Sequence, residues 1–462
     1  MLNLLKDPAR KSESLVALID GEHYPKLNLD ALEYLKRAFQ GSFRGIIFLG
    51  GTEKLNISNL KDFFKAEVFE IKSLDTDFLE ALDYFKPDIA YDLSDEPIVN
   101  YEIRMKIASY CLSRCCDYMG PDFVFESEPK DITTDSPSLS IIGTGKRIGK
   151  TAASSFIAKY FKEKGIDLCV VAMGRGGPSR PQVLEGEKVQ IDASLLLEIS
   201  DKGQHASSDY IEDALMSGVT TIGCRRCGGG FGGKFFFSNI EQGIDIANKL
   251  KKELIIVEGS GASIPPVDTD ATICLIGAHQ KWESIVGYLG IYRIMISDLV
   301  LLTMCEEPMA DKAKVDFLKK KILQINPDAN ILTSIFRPVP LGDIRGKKVF
   351  LAMTAKEKII KKIAAYLEEK YKCRIVKSSY NLSRRKELVD DLSSTDEYHV
   401  LLTELKAASV DIVTDYARKN HKEIYYLNND TIILEDKNKR EFALKLIDDK
   451  LKNRRSGDYQ HE

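Results

Sequence analysis

The sequence of 462 residues has no long apolar run and few cysteines, and its net charge is small. A membrane-spanning helix needs about 20 consecutive apolar residues, and since no run approaches this length we expect no membrane partner. The 9 cysteines are odd in number and scattered along the chain, which favours reduced thiols over a disulfide framework. Only Cys224 and Cys227 have the spacing of metal ligands, and without a second pair they do not predict a zinc site.

Positive charge is also too scarce for a typical nucleic-acid-binding protein. The formal net charge is −3, so no overall basic field attracts a polyanion, and we expect no nucleic-acid partner. Affinity for a multiply charged anion must therefore come from local clusters of cations. The first residues carry charges where a signal peptide needs its apolar region, so we expect a cytoplasmic location.

The remaining composition, 44% hydrophobic and 29% charged residues, is that of an ordinary globular protein. At about 150 residues per domain, the length predicts three domains. We place them at residues 1–135, 136–340 and 341–462. The polar stretch 127–137 would link the first two, and the proline-spaced stretch 337–346 would lead into the third.

A phosphate-binding loop is the most informative feature of the sequence. The apolar run 139–142 predicts a buried strand, which is followed by glycines and cations and then by apolar residues at helical spacing as far as Phe161. In such a loop, backbone N–H groups and the helix dipole bind phosphate. Lys150 would reach the β- and γ-phosphates of ATP, and the Thr151 hydroxyl would hold Mg²⁺. The predicted nucleotide-binding residues are Gly143, Thr144, Gly145, Gly149, Lys150 and Thr151.

The loop departs from the usual pattern at one position. Thr144 stands where the first glycine is expected, and it is flanked by Gly143 and Gly145. This spacing resembles the loop of dethiobiotin synthetase, which belongs to the same class as MinD and the nitrogenase iron protein. A glycine-rich turn that binds nothing is the alternative, but strand, loop and helix are in register for a P-loop. No Asn-Lys-x-Asp sequence typical of guanine-specific P-loop proteins is present, which favours ATP over GTP.

Two glycine-rich segments carry cations and no acid. Residues 174–181 contain two arginines, and residues 224–234 contain two arginines and a lysine. Glycine at this density gives a flexible backbone, and a flexible basic loop is what a lid over phosphates requires. A disordered surface tether is the alternative. The predicted substrate-binding residues are Arg175, Arg180, Arg225, Arg226 and Lys234.

The apolar run 254–257 predicts a strand that ends in Glu258 and continues as Gly-Ser-Gly. This resembles the second metal-binding motif of dethiobiotin synthetase, which implies that Glu258 contacts Mg²⁺, directly or through water. A strand that happens to end in glutamate is the alternative. Further candidates are weaker. Asp268 and Asp270 would support metal or substrate, and Lys406 would be a surface or an active-site lysine. His205, Ser207 and Asp209 come before a helix, where Asp209 would act as a cap.

Alternating strand and helix patterns extend on both sides of the P-loop segment. We predict strands at 15–19, 45–51, 88–93, 168–173, 299–304, 347–353, 373–376 and 399–405, and helices near 57–66, 75–86, 100–119 and 355–371. The fold class is therefore α/β, a P-loop domain with a mostly parallel sheet between smaller α/β domains. Two loops would either position ligands or simply be solvated: Asp20, Glu22 and His23, and Asp92, Asp95 and Glu96.

Taken together, these motifs resemble those of the cyclic 2,3-diphosphoglycerate synthetase family. The resemblance rests on the loop at 143–151, the two basic segments, the Glu258 motif, the Asp20-Gly-Glu-His-Tyr-Pro stretch and the junction at 336–346. It implies ATP-dependent closure of 2,3-bisphosphoglycerate into a cyclic pyrophosphate, with release of ADP and phosphate. It also implies a homodimer.

The resemblance assigns roles to the predicted residues. Lys150 and Mg²⁺, held by Thr151 and Glu258, would stabilise the transferring phosphoryl group. Lys146 and Arg147 lie in the loop and would reach leaving oxygens, although the signature lysine of this class usually sits where this chain has Gly145. The arginines would hold the bisphosphate, since their geometry suits phosphate. A metabolite kinase that stops at phosphorylation and an ATP-driven switch or metal-insertion protein are the alternatives.

Overall fold

A computed structural model of the chain describes residues 10, 12–51, 53–55, 57–127, 130–188, 192–201, 208–395, 397–405 and 409–455. The predictions for His205, Ser207 and Lys406 lie outside these residues. No helix in the described ranges has the length and apolar character needed to cross a membrane.

Strands and helices alternate along most of the chain. The strands are β1 (Ser14–Ile19), β2 (Ser42–Phe48), β3 (Val68–Glu70), β4 (Ile89–Asp92), β5 (Asp117–Met119), β6 (Val124–Phe125), β7 (Ile132–Thr133), β8 (Ser138–Gly143), β9 (Leu168–Gly174), β10 (Gln182–Glu185), β11 (Thr220–Cys227), β12 (Phe237–Ser238), β13 (Leu254–Glu258), β14 (Val267–Asp268), β15 (Ala271–Gly277), β16 (Leu299–Thr303), β17 (Asn330–Pro340), β18 (Lys348–Ala352), β19 (Arg374–Ser379), β20 (Val400–Glu404) and β21 (Glu423–Ile433).

The α-helices are α1 (Pro25–Ala38), α2 (Leu60–Phe64), α3 (Asp77–Phe85), α4 (Tyr101–Ser113), α5 (Lys150–Glu163), α6 (Ala193–Asp201), α7 (Asp209–Ser217), α8 (Ile240–Leu250), α9 (Trp282–Gly287), α10 (Gly290–Met295), α11 (Lys312–Ile325), α12 (Glu357–Tyr371), α13 (Arg385–Ser393), α14 (Asp415–Lys419) and α15 (Lys437–Arg455). A π-helix at Ser409–Thr414 precedes α14.

The chain forms two compact units. The first contains residues 1–130 together with 280–297 and 317–329, and the second contains 131–279, 298–316 and 330–462. In the first unit, the sheet has the strand order β3-β2-β1-β4-β5-β6. Its neighbours pair in parallel except for β5 and β6. The strand β1 is buried along its whole length, and the five residues after Ser14 form a continuous apolar run, as expected for a core strand of a parallel sheet.

The second unit is built on one 13-stranded sheet. Its main path is β10-β11-β9-β13-β8-β15-β16-β17-β21-β20-β18-β19, with β12 paired to β11. The pairing is parallel except at β10/β11, β11/β12 and β17/β21. The strand β8, which leads into the P-loop, pairs with β13 and β15, and all six of its residues are buried, as expected for a parallel sheet that is covered on both faces. The mostly parallel α/β architecture expected from the sequence is confirmed.

One local prediction is wrong and another is incomplete. The helix expected over 100–119 ends at Ser113, because Cys115 adopts a left-handed backbone conformation with φ 55°. The chain then returns to the sheet as β5 and pairs with β4. The stretch 127–137 is not only a linker, since Ile132 and Thr133 pair with β14. The division into three domains stays a prediction.

Candidate active site

The P-loop has the geometry that its sequence predicts. The strand β8 ends at Gly143 and α5 begins at Lys150. Between them, the backbone N–H of Thr144 donates to the carbonyl oxygen of Leu275 at 3.0 Å, which ties the start of the loop to β15. Gly149 precedes the helix with φ 79°, a conformation that favours glycine. The loop therefore places the N-terminus of a 14-residue helix at the carboxyl edge of the sheet.

Gly149 also has no space for a side chain. A Cβ atom at this position would lie 2.0 Å from Cζ of Phe336, which belongs to β17. The phenyl ring therefore packs directly against the last residue of the loop. The sequence motif explains the glycine by backbone conformation alone, whereas the structure adds this contact.

Three cations converge on the segment that follows Glu258. The ammonium of Lys150 donates to the carbonyl oxygen of Gly261 at 2.6 Å. A Cβ atom on Gly261 would lie 3.4 Å from Cγ of Lys146 and 3.5 Å from Nη2 of Arg226. Lysines of the P-loop and an arginine predicted to bind substrate thus meet around one residue, Gly261.

Arg226 is the most deeply placed of the predicted substrate-binding arginines. Its side chain donates through Nη1 to the carbonyl oxygen of Gly228 at 2.5 Å and through Nη2 to that of Ser260 at 2.6 Å. Burial lowers the pKa of Arg226, and the nearby Arg175 guanidinium acts in the same direction. A phosphate would therefore find a partly desolvated guanidinium, whose attraction for anions is stronger than at the surface.

The position of the arginine pair differs from the sequence prediction. Residues 224–227 lie in β11 and not in the glycine-rich loop, because Arg225 pairs with Gly174 of β9 and Arg226 with Ser238 of β12. Successive side chains of a strand point to opposite faces. Arg226 is buried, while the half-buried Arg225 guanidinium lies over the ring of Phe237 at 5.5 Å.

The other predicted basic residues are more exposed. Arg147, Arg175 and Arg180 are exposed, and Lys234 is half-buried. The glycine-rich loop of Lys234 is tied to the segment after Glu258, since the backbone N–H of Ile264 donates to the carbonyl oxygen of Gly233 at 3.0 Å. The structure brings Lys146, Lys150, Arg175 and Arg226 together by direct or electrostatic contact.

Glu258 belongs to an acidic cluster with Asp213, which is also buried, and with the half-buried Asp209. The pKa of Glu258 is raised to about 7, mainly by burial and also by the carboxylate of Asp209, while the Ser154 hydroxyl and the Lys150 ammonium oppose the rise. Burial also raises the pKa of Asp213 well above its usual range, and the Glu258 carboxylate adds to this. The charged forms of Glu258 and Asp213 are therefore disfavoured by burial, and a cation bound beside them would oppose this effect.

The residues at this point fit a divalent cation bound together with nucleotide. Oε1 of Glu258 is buried and has no hydrogen-bond partner among the described residues, and Thr151 lies in the first turn of α5. In the described part of the chain, no group of three or more His, Cys, Asp or Glu side chains is arranged to hold a metal ion. Mg²⁺ characteristically takes one or two protein ligands and completes its shell with phosphate and water, which matches this donor set.

Sequence reasoning considered Asp209 only as a helix cap and missed Asp213, so the acidic partners of Glu258 were not recognised. Asp209 and Asp213 lie on α7 at a spacing of four residues, which places both on one face of the helix. That spacing was a visible signal, but only the fold shows that the face meets β13. By contrast, Asp270 lies at the amino end of β15, where its carboxylate accepts from the N–H of Ser138 at 2.7 Å, so the proposed support of the active site from Asp270 is wrong.

In the acidic loops of the first unit, the carboxylates of Asp20 and Asp92 are satisfied by internal hydrogen bonds. Asp20 is fully buried and accepts from the backbone N–H groups of Glu22 and Asp95. Asp92 is 1% exposed and accepts from Ser94 and from the hydroxyl of Tyr118. These bonds tie loops together at the ends of β1 and β4, so Asp20 and Asp92 are not solvated, and a role of the two loops in positioning a ligand stays a prediction.

The fold and this site define a P-loop nucleotide-binding protein. Residues 14–126, 138–335 and 340–430 match, in this order, the family models of the N-terminal domain, the P-loop domain and the C-terminal domain of cyclic 2,3-diphosphoglycerate synthetase. The chain belongs to the cyclic 2,3-diphosphoglycerate synthetase family.

Similar proteins come from both archaea and bacteria. The cyclic 2,3-diphosphoglycerate synthetase of Methanothermus fervidus is 43% identical, over 92% of this chain and 94% of its own. That of Methanothermobacter thermautotrophicus is 42% identical, over 92% and 93%. That of Rubrobacter xylanophilus is 42% identical, over 90% and 93%. The similarity thus extends over nearly the whole of each protein.

Proposed function

We propose that this protein is an ATP-dependent synthetase that converts 2,3-bisphosphoglycerate into cyclic 2,3-diphosphoglycerate, with release of ADP and phosphate. The observation that carries the proposal is the convergence of Lys150 and Arg226 on the adjacent carbonyls of Gly261 and Ser260. Cations of the nucleotide loop and of the substrate set lie side by side, so a substrate phosphate bound there would lie next to the γ-phosphate of ATP. Family membership supports the same reaction.

The reaction takes two displacements at phosphorus. An oxygen of one substrate phosphate attacks the γ-phosphorus of ATP, the bond to the β-phosphate oxygen breaks and ADP leaves. An oxygen of the second substrate phosphate then attacks the phosphorus of the first, and inorganic phosphate leaves as the ring closes. Both steps bring anions together, so the protein contributes mainly charge neutralisation and alignment.

The nucleotide side of the site performs the first step. Lys150 exchanges the Gly261 carbonyl for the β- and γ-phosphates, while the loop residues Gly143, Thr144, Gly145 and Gly149 present backbone to the phosphates. Thr151 and Glu258 would hold Mg²⁺, which supplies charge neutralisation when bound. Lys146 and Arg147 serve the oxygens of the leaving groups. ATP and Mg²⁺ are the ligands of this half of the site.

The substrate side binds the bisphosphate through its cations. Arg226 and Arg175 hold the phosphate nearest the P-loop, and Arg225, Arg180 and Lys234 serve the second phosphate and the carboxylate of the substrate. Asp209 and Asp213 lie behind Glu258 and orient it. We further propose a cytoplasmic homodimer of three-domain subunits without nucleic-acid or membrane partners. The separate family models for the three parts of the chain support the domain division.

The dependence of ATP consumption on substrate tests the proposal. ADP release by the purified protein with Mg²⁺-ATP is measured with and without 2,3-bisphosphoglycerate. We expect almost no turnover until the bisphosphate is added, and none with either mixture for Lys150→Ala, because the charge that stabilises the transferring phosphoryl group is lost. Lys159→Ala, which removes a half-buried lysine of the same helix paired with Asp430, is the matched control and should keep the wild-type rate. Equal hydrolysis with and without bisphosphoglycerate would contradict the proposal.

A further inference from the structure

The P-loop is anchored to the neighbouring strand by a buried hydroxyl. Thr303, the last residue of β16, is fully buried. Its Oγ1 donates to the carbonyl oxygen of Ile148 at 2.7 Å and lies 3.4 Å from that of Ile276. The shorter contact is with the P-loop itself, because Ile148 immediately precedes Gly149, the residue before α5. No sequence motif marks this threonine, because it follows an ordinary apolar strand.

The bond fixes the direction of a peptide group that faces phosphate. The peptide between Ile148 and Gly149 is trans, so its carbonyl and its N–H point in opposite directions. Since the carbonyl of Ile148 is directed at Thr303, the N–H of Gly149 is directed away from β16. This amide precedes α5 and belongs to the group of N–H donors that a P-loop offers to phosphate.

Apolar packing and a backbone hydrogen bond hold the surroundings of the Thr303 hydroxyl in place. The Ile148 side chain is 1% exposed, and Cβ atoms added to Gly143 and Gly277 would lie 2.5 and 2.9 Å from it. The backbone carbonyl of Thr303 in turn accepts from the N–H of Ala278 at 2.8 Å, which holds the end of β16 to the end of β15. Apolar packing places Ile148, but packing alone does not determine the orientation of its peptide plane.

We propose that Thr303 is a positioning residue that preorganises the Gly149 amide for phosphate binding. It touches neither nucleotide nor substrate and acts through the carbonyl of Ile148. The proposal rests on the proposed function in that ATP is taken as the ligand of the loop. Without the hydroxyl, the Ile148 carbonyl is buried without its partner, and the peptide can rotate away from its binding orientation.

Affinity for Mg²⁺-ATP, measured by titration calorimetry on the full chain, tests the proposal. Thr303→Val, which keeps the shape and removes the hydroxyl, should weaken ATP binding about tenfold. Thr303→Ser, which restores the hydroxyl, should bind within about twofold of the wild type. Thr403→Val is the control, because Thr403 is fully buried and its Oγ1 donates to the carbonyl of Glu404 in a different part of the sheet. It should lower the melting temperature as much as Thr303→Val without changing ATP affinity.

Wild-type affinity of Thr303→Val, or a serine variant as weak as the valine variant, would overturn the proposal. If Thr303→Val does not fold, Thr303→Ala is compared with Thr303→Ser: tighter binding by the serine variant supports the role, and equal binding contradicts it. Binding of ATP by a wild type that makes no cyclic product would refute the proposed function and leave this inference supported by the same titrations. A wild type that binds no ATP would overturn both.

Discussion

At the scale of single residues, the site holds its cations on backbone carbonyls. Arg226 and Lys150 donate to Ser260 and Gly261 at 2.6 Å each. Because both donors are cations, these bonds are already charge-assisted, and an anionic phosphate in place of the neutral carbonyl would add attraction between full charges. A phosphate bound at this point would therefore meet cations that are already in position, which is the preorganisation that phosphoryl transfer requires.

Arg225 gives a test of the substrate side. Its guanidinium lies over Phe237, and its Nε is buried without a hydrogen-bond partner among the described residues. Arg225→Ala should raise the dissociation constant for 2,3-bisphosphoglycerate about tenfold and change that for ATP less than twofold. Both constants are measured by calorimetry. Arg418→Ala, an exposed arginine paired with Asp415, is the control and should change neither. A parallel loss of ATP affinity in Arg225→Ala would place Arg225 on the nucleotide side.

Glu258 gives a test of the metal. Glu258→Gln should reduce turnover on the order of a hundredfold, because a ligand that carries negative charge is lost from Mg²⁺. In the presence of a chelator, which removes Mg²⁺, Glu258→Gln should bind free ATP more tightly than the wild type does. The reason is that a carboxylate beside the phosphates is removed. The binding comparison is made at pH 8, above the pKa of about 7, so that the wild-type carboxylate is ionised. Weaker binding of metal-free ATP by the variant would argue against this role.

At the scale of elements, the strand, loop and helix of the P-loop could be predicted because their signals are local. The apolar run 139–142 lies within β8, and Lys150 begins α5. The arginine pair could not be placed, because glycines on one side of Cys227 suggest a loop while the strand pairing that extends β11 comes from distant residues. Local pattern predicts local elements, and long-range pairing decides where they end.

The contact between β17 and the P-loop gives a prediction at this scale. Gly149 and Gly165 share a φ of 79°, but only Gly149 would place a Cβ against Phe336, whereas nothing lies within 4 Å of such an atom at Gly165. Each alanine variant should lose about 1 kcal/mol from the left-handed backbone conformation. Gly149→Ala should lose about 1–3 kcal/mol more through overpacking, and with it ATP affinity.

Chemical denaturation and ATP titration of the two alanine variants give the comparison. Gly165→Ala measures the loss of stability from the backbone conformation alone, because nothing lies within 4 Å of its added Cβ atom. Equal losses of stability in the two variants would show that the Phe336 ring does not constrain the loop. Retention of wild-type ATP affinity by Gly149→Ala would contradict the geometry assigned to the loop.

At the scale of the whole molecule, α/β alternation was predictable and the extent of the sheet was not. The residues of β17 and β21 are almost 100 positions apart, yet they pair antiparallel and join the strands β18–β20 to the sheet of the P-loop. Likewise, residues 280–297 and 317–329 belong to the same compact unit as residues 1–130. Such associations depend on tertiary packing, which short sequence patterns do not contain.

Phosphorus NMR of the purified protein with Mg²⁺-ATP and 2,3-bisphosphoglycerate tests the central claim most directly. The proposed function predicts paired pyrophosphate resonances of a cyclic product, appearing together with equal amounts of ADP and inorganic phosphate. ADP and phosphate without a cyclic product, or no change in the spectrum, would contradict it.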